Sequence, residues 1–304
     1  MKRQTIAGLG NGIAAGSCWG LVFLAPRVLE GFAPIQLSAA RYLVYGAIAM
    51  LLLLPRWRRL AARLTRREWW ALVGLSLLGN IVYYILLARA VQMAGGAAAS
   101  LIVGLLPVAV TVFGSFETGA VPLRALRWPL LLCLTGVVLV GMASLRTDTA
   151  QRDVGARSIG LLCAFGALTC WTVYSIWNGR WLQRRPDLSA HDWSLLTGMV
   201  TGLLALGLAV PAFLPPSEHA PVAWMHFWGL TFIVALLASV VGNACWNRAS
   251  RLLPLTLVGQ MIVFETLFAL LYVFIYEQRW PGTMEILAIA CLVVGVVGCA
   301  RAHR

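Results

Sequence analysis

A single lysine, Lys2, stands in a chain of 304 residues. That scarcity removes two chemistries at once. A Walker-type phosphate loop needs a lysine after its last glycine, and a membrane-embedded Schiff base needs a lysine amine, so ATP-driven pumping within the chain and retinal photochemistry are both excluded. Charge of any kind is sparse, at 12% of residues, where soluble domains carry about 25%. The seven cysteines fall singly inside apolar stretches, without metal-ligand or disulfide-framework spacing, and read as packing residues. His191, His219, His226 and His303 sit in loops or at helix ends, and no nucleophile elbow is present. No enzymatic activity, metal or cofactor is expected.

What the chain does contain is apolar residues, 60% of the total against about 45–50% in soluble proteins. A bilayer core of about 30 Å takes roughly 20 apolar residues per helix. Ten such stretches are found, at 6–28, 34–54, 69–91, 96–116, 128–145, 158–181, 192–213, 224–249, 255–276 and 284–300. The alternating ten-residue segments of a membrane barrel are missing, and lipid tolerates only helices or closed barrels. The fold class is therefore an all-α integral membrane protein of ten transmembrane helices. The first apolar stretch is too long for a signal peptide and shows no small-residue cleavage site, so it is read as a retained span.

The net charge of +13 does not point to nucleic acid, because the arginines are spread over alternate loops rather than gathered on one soluble face. Lys2, Arg3, the run from Arg56 to Arg67, Arg124, Arg127, Arg180, Arg184, Arg185, Arg248, Arg251, Arg301 and Arg304 fall on one side. The positive-inside rule makes that side cytoplasmic, with both termini on it.

A polar segment, 146–157, divides five spans from five, which gives halves of 1–150 and 151–304. Gly16-Ser17-Cys18-Trp19 corresponds to Leu168-Thr169-Cys170-Trp171, Leu37-Ser38-Ala39 to Leu188-Ser189-Ala190, and Gly79-Asn80 to Gly242-Asn243. Five spans per half force the second half to insert upside down. The expected product is a pair of inverted five-helix repeats around a central cavity, with a substrate site near the midplane. Two halves in one polypeptide make a monomer sufficient.

Polar and aromatic residues inside the spans mark the candidate site. Helical spacing aligns Trp171, Tyr174, Ser175 and Asn178 on one face, Asn80, Tyr83 and Tyr84 on another, and Asn243, Trp246 and Asn247 on a third. Amides facing lipid would lose their hydrogen bonds, so these faces point inward, toward a cargo or toward one another. Trp19 with Trp171, and Tyr83 with Trp246, occupy matching places in the halves. Glu265 is the acidic residue nearest the middle of a span, where burial costs about 2.5–3.5 kcal/mol. It can meet a substrate amine, exchange a proton or pair structurally. Gly8, Gly12, Gly16 and Gly20 form a smooth stripe for close helix packing or a moving gate, and Pro107 removes a backbone bond and kinks its span.

Gly16-Ser17-Cys18-Trp19-Gly20, Gly79-Asn80, the Pro107 span and the stretch from Phe264-Glu265-Thr266 to Tyr276-Glu277-Gln278-Arg279-Trp280-Pro281 resemble the drug/metabolite transporter superfamily. The resemblance is to its EamA type, and within it to aromatic amino acid exporters. It implies spans 1, 3, 4, 6, 8 and 9 around a cavity, spans 5 and 10 outside it, and amino acid export across a bacterial cytoplasmic membrane. On these grounds the function expected is export of aromatic and other amino acids, with export of cationic drugs or other small metabolites as the alternative.

Overall fold

The computed structural model describes residues 3–29, 31–94, 96–116, 120–145, 154–214 and 219–303. Lys2, Arg304 and most of the polar break, 146–153, lie outside them. Every regular element among the described residues is helical. In chain order these are α1 (Arg3–Val28), α2 (Pro34–Leu53), α3 (Trp57–Ala61), α4 (Arg66–Ser76), α5 (Val82–Ala94), α6 (Gly96–Val103), α7 (Leu106–Gly114), α8 (Leu123–Leu145), α9 (Val154–Arg184), α10 (Ala190–Phe213), α11 (Pro221–Val234), α12 (Asn243–Leu252), α13 (Leu255–Met261), α14 (Val263–Tyr276) and α15 (Thr283–Ala302).

Start signals are local. Thr65 and Glu68 form a reciprocal capping box at α4, Ser189 accepts from the Asp192 amide at the start of α10, and prolines open α2 and α11.

Among the described residues, nine helical stretches are long and apolar enough to cross a bilayer: Arg3–Ala25, Pro34–Ala61, Arg66–Ala94, Leu123–Met142, Val154–Arg184, Ala190–Phe213, Pro221–Leu252, Leu255–Tyr276 and Thr283–Ala302. The expected span at 96–116 is interrupted, because the helix breaks between α6 and α7. Pro107 has no amide proton for the Val103 carbonyl, and the Leu105 amide turns back onto Ile102 at 3.1 Å. A second break separates α13 from α14, where the Ile262 and Glu265 amides make tight bonds to Gly259 and Ile262.

Two π-helical turns, Leu77–Ile81 and Ala235–Gly242, join α4 to α5 and α11 to α12. Such turns displace carbonyls from the regular ladder and make them available to side chains.

Packing is pairwise. Helix α2 lies on α10, α8 on α15, α5 on α9, α7 on α13, and α1 on both α12 and α14. Outer faces remain apolar and open, as at Leu162 (71% exposed) and Phe165 (52%); acyl chains are a fitting solvent for them. The α1–α2 and α10–α11 connections meet at one end, where Phe32 stacks on His219 at 4.2 Å. The α2–α4 and α9–α10 connections meet at the other through Arg63 and Asp187.

Candidate functional site

Three tryptophans from distant parts of the chain meet where α1, α9 and α12 cross. Trp19 lies 5.9 Å from Trp171 and 5.2 Å from Trp246, and Trp171 lies 5.4 Å from Trp246. Tyr174 extends the cluster at 5.7 Å from Trp171. All four are buried. The rings are in mutual contact.

The π-turn Ala235–Gly242 orients this cluster. The Trp19 indole N–H donates to the Ala238 carbonyl at 3.0 Å. Trp246 Nε1 and Ser175 Oγ, by contrast, are buried without a hydrogen-bond partner. Leaving a buried donor unpaired costs about 1–3 kcal/mol, which makes these two groups available to a polar cargo atom. One stability contrast follows. Trp19→Phe and Trp246→Phe remove the same volume, but only the first breaks a made bond. Trp19→Phe is expected to be the more destabilising by about 1–2 kcal/mol, read from denaturation of the purified protein; equal losses would show that Trp246 Nε1 is paired.

The amides divide. Asn178 donates to Asn247 at 2.8 Å and accepts from the Trp193 indole at 2.9 Å, which closes an interhelical network. Asn80 donates from its side chain to Thr201 at 3.4 Å, and its backbone carbonyl accepts from Tyr42. Asn243 donates to the Tyr45 hydroxyl at 3.3 Å, and that hydroxyl donates to the Ser194 carbonyl. All three amides therefore have protein partners.

Glu265 sits in the first turn of α14, where the positive end of the helix dipole favours a carboxylate. Arg41 and Tyr83 are within its electrostatic reach. Phe268 and Tyr272 follow on the same helix with rings 6.0 Å apart, and the Tyr272 hydroxyl donates to the Ser17 carbonyl. The glycine stripe of α1 makes this approach possible. A Cβ on Gly16 would meet the Glu265 amide nitrogen at 2.9 Å, and one on Gly20 the Ala269 nitrogen at 2.8 Å. Pro107 lies at the break opposite α13, its carbonyl accepting from Gln260, which also bonds Thr111 and Cys133.

Arg41 lies on α2. In the fold it lines a cavity of about 30 Å³ with Ser38, Tyr84 and Thr231, walled by apolar residues that include Leu29 and Val234. Its Nε donates to Ser239 Oγ at 2.9 Å, and its guanidinium lies 5.5 Å from the Tyr42 ring centre. Tyr84 donates to the Pro34 carbonyl and so belongs to this cavity, apart from the indoles. A polar one-turn spacing, Ser38 and Arg41, was the signal available in the sequence.

The opposite end is held by charge. Arg185 pairs with Glu68 and, at 2.8 Å, with Asp187; Arg63 joins Asp187 at 3.0 Å, and Arg56 joins Asp192 at 2.7 Å. The Arg185 guanidinium holds the Asp187 carboxyl well below the ordinary carboxylate range.

An apolar-surfaced helical bundle with broken and π-turned helices around buried polar side chains defines a multi-pass membrane protein of the transporter class. Residues 6–142 and 158–301 match the EamA-like transporter family, and the chain belongs to that family. It is 35% identical to the inner membrane protein YtfF of Escherichia coli (strain K12), over 98% of this chain and 96% of that one. It is 25% identical to YdeK of Bacillus subtilis (strain 168), described as an uncharacterized transporter, over 91% and 89%. A crystal structure at 21% identity superposes with a TM-score of 0.73 over 96% of this chain and 95% of the other, which is a likeness of fold.

Proposed function

We propose that this protein exports aromatic and other amino acids from the cytoplasm by alternating access. The observation that carries the reading is the buried cluster of Trp19, Trp171 and Trp246 with its unpaired indole N–H. Flat aromatic walls suit an aromatic or aliphatic side chain, and an ammonium gains roughly 0.5–2 kcal/mol over such faces. Glu265, whose carboxylate has no hydrogen bond or ion pair among the described residues, supplies the counter-charge for the amine. In this reading Tyr83, Tyr174, Ser175, Asn80 and Asn243 border the path, and Gly16, Gly20 and Pro107 let helices slide or bend.

The halves 1–150 and 151–304 act as inverted repeats. Contacts of α2 with α10, α7 with α13 and α8 with α15 join matching spans, and the pairs α5–α9 and α12–α1 exchange under the same relation; the two π-turns and the two helix breaks also fall at matching places. This pattern supports a pseudo-two-fold axis in the membrane plane. The kinship with YtfF supports a bacterial inner membrane, the arginine bias supports cytoplasmic termini, and one chain suffices as the working unit.

The test is counterflow in liposomes. Purified protein is expected to exchange radiolabelled phenylalanine and tryptophan above empty vesicles; no movement of any amino acid in either direction would end the proposal. A cationic cargo is the second reading, favoured by the unpaired Glu265. It requires that Glu265→Gln abolish resistance to a cationic drug in cells.

A further inference from the structure

We infer that the cavity between α1, α2, α5 and α11 is an anion subsite, built to take the carboxylate of the cargo on Arg41. The inference rests on the amino acid reading above and adds the half of the substrate that the indoles and Glu265 do not address.

Arg41 makes one side-chain hydrogen bond among the described residues, from Nε to Ser239, and no ion pair. That bond fixes one edge of the planar guanidinium and leaves both Nη groups unbonded. A guanidinium presents paired donors that match the two oxygens of a carboxylate, and charge-assisted bonds of this kind are about twice as strong as neutral ones.

Two hydroxyls complete the site. Ser38, one turn from Arg41 on α2, and Thr231 on α11 both line the cavity, at 1% and 4% exposure, and neither Oγ has a partner. Three polar groups with spare donors thus converge on one space inside an apolar wall. A cation would be repelled there by Arg41. The volume of about 30 Å³ is that of one or two water molecules, which suits a carboxylate head and not a whole amino acid.

The remainder of the cargo has a direction. Arg41 and Trp19 grip adjacent residues of the same π-turn, Ser239 and Ala238. A carboxylate held by Arg41 therefore lies against the same turn that carries the acceptor of the Trp19 indole. Glu265, within electrostatic reach of Arg41, is left for the ammonium.

The experiment compares phenylalanine with phenethylamine, which lacks the carboxylate, and with 3-phenylpropionate, which lacks the amine. Uptake is measured in proteoliposomes and ligand-induced thermal stabilisation in detergent. Wild-type protein is expected to prefer phenylalanine to phenethylamine at least tenfold. Arg41→Gln should lower that preference toward one and raise the phenylalanine KM at least tenfold. Ser38→Ala and Thr231→Val should each raise it a few-fold.

Retention of the wild-type preference in a folded Arg41→Gln protein would overturn the inference and leave amino acid export standing. Should Arg41→Gln not fold, unchanged phenylalanine KM in both hydroxyl variants overturns it equally. If wild-type protein moves no amino acid, export fails by itself and the subsite is decided by 3-phenylpropionate. Stabilisation of wild type that is weaker in the hydroxyl variants upholds it; no stabilisation sinks it.

Discussion

Arg185→Met is expected to cost about 3–5 kcal/mol of stability, the range measured when one partner of a buried ion pair is removed. The reason is Glu68, 3% exposed, whose carboxylate pairs with Arg185 and would be left without a cation. Its other bonds, to the Thr65 amide and hydroxyl at 2.7 Å, are local and do not neutralise it. The double substitution Arg185→Met with Glu68→Gln should recover part of the loss, because the stranded charge is gone. Urea denaturation of the four proteins gives the coupling directly; a single-variant loss under about 1 kcal/mol, or a double variant no better than the sum, would refute this account.

Transport should suffer as well. Through its guanidinium Arg185 ties the α9–α10 connection to the start of α4 and donates to the Arg63 carbonyl. Loss of these ties opens that end of the bundle, so an engineered cysteine beneath it should label faster from that side. Mild acid is expected to leave the bonds of Asp187 in place. A carboxyl whose folded pKa is depressed contributes stability above its unfolded pKa and loses it only as pH falls through the lower folded value. With Asp187 held below its usual 3.8, its bonds to Arg185 should persist unchanged from pH 8 to pH 5.

The second large effect concerns two glycines. A Cβ on Gly46 would lie 2.5 Å from Gly202 Cα and 3.2 Å from its nitrogen, and one on Gly202 would meet Gly46 in the same way. The obstacle is backbone on both sides, so no side-chain rotation relieves it. Gly46→Val or Gly202→Val must push α2 and α10 apart, and with Gly198 seated on the Tyr45 ring the whole crossing moves. A loss of about 3 kcal/mol, at the upper end for overpacking, is expected, with transport falling below detection. Gly207→Ala is the control. Nothing lies within 4 Å of its added Cβ, and alanine is the better helix former by up to about 1 kcal/mol. If Gly46→Val folds and transports as wild type does, the close crossing does not exist in the working protein.

These two sites differ in how far the sequence announces them. Gly198 and Gly202 stand four apart on an apolar helix, a legible small-residue pattern, yet nothing local names Gly46 as the residue they face. Asn178 and Asn243 illustrate the same limit. Both are amides inside apolar stretches, and composition assigns them one role; only the approach of α10 and α12 gives Asn178 a closed set of partners in Trp193 and Asn247. Arg41 is one of many arginines in the chain. What sets it apart is the hydroxyl of Ser239, 198 residues away, and a space beside it.

The sequence by itself determined that the chain lives in lipid, that its crossings are helical, that Pro107 breaks one of them and that Asn80, Asn178, Trp171 and Trp246 face inward. Each of these follows from a cost paid locally, by a backbone group or side chain that hydrocarbon cannot satisfy. The tertiary structure decided which indoles touch, where π-turns free a carbonyl for Trp19, and which charges remain unpaired. Those outcomes depend on hydrogen-bond register and on contacts between helices far apart in the chain, and no periodicity along one helix encodes its neighbour.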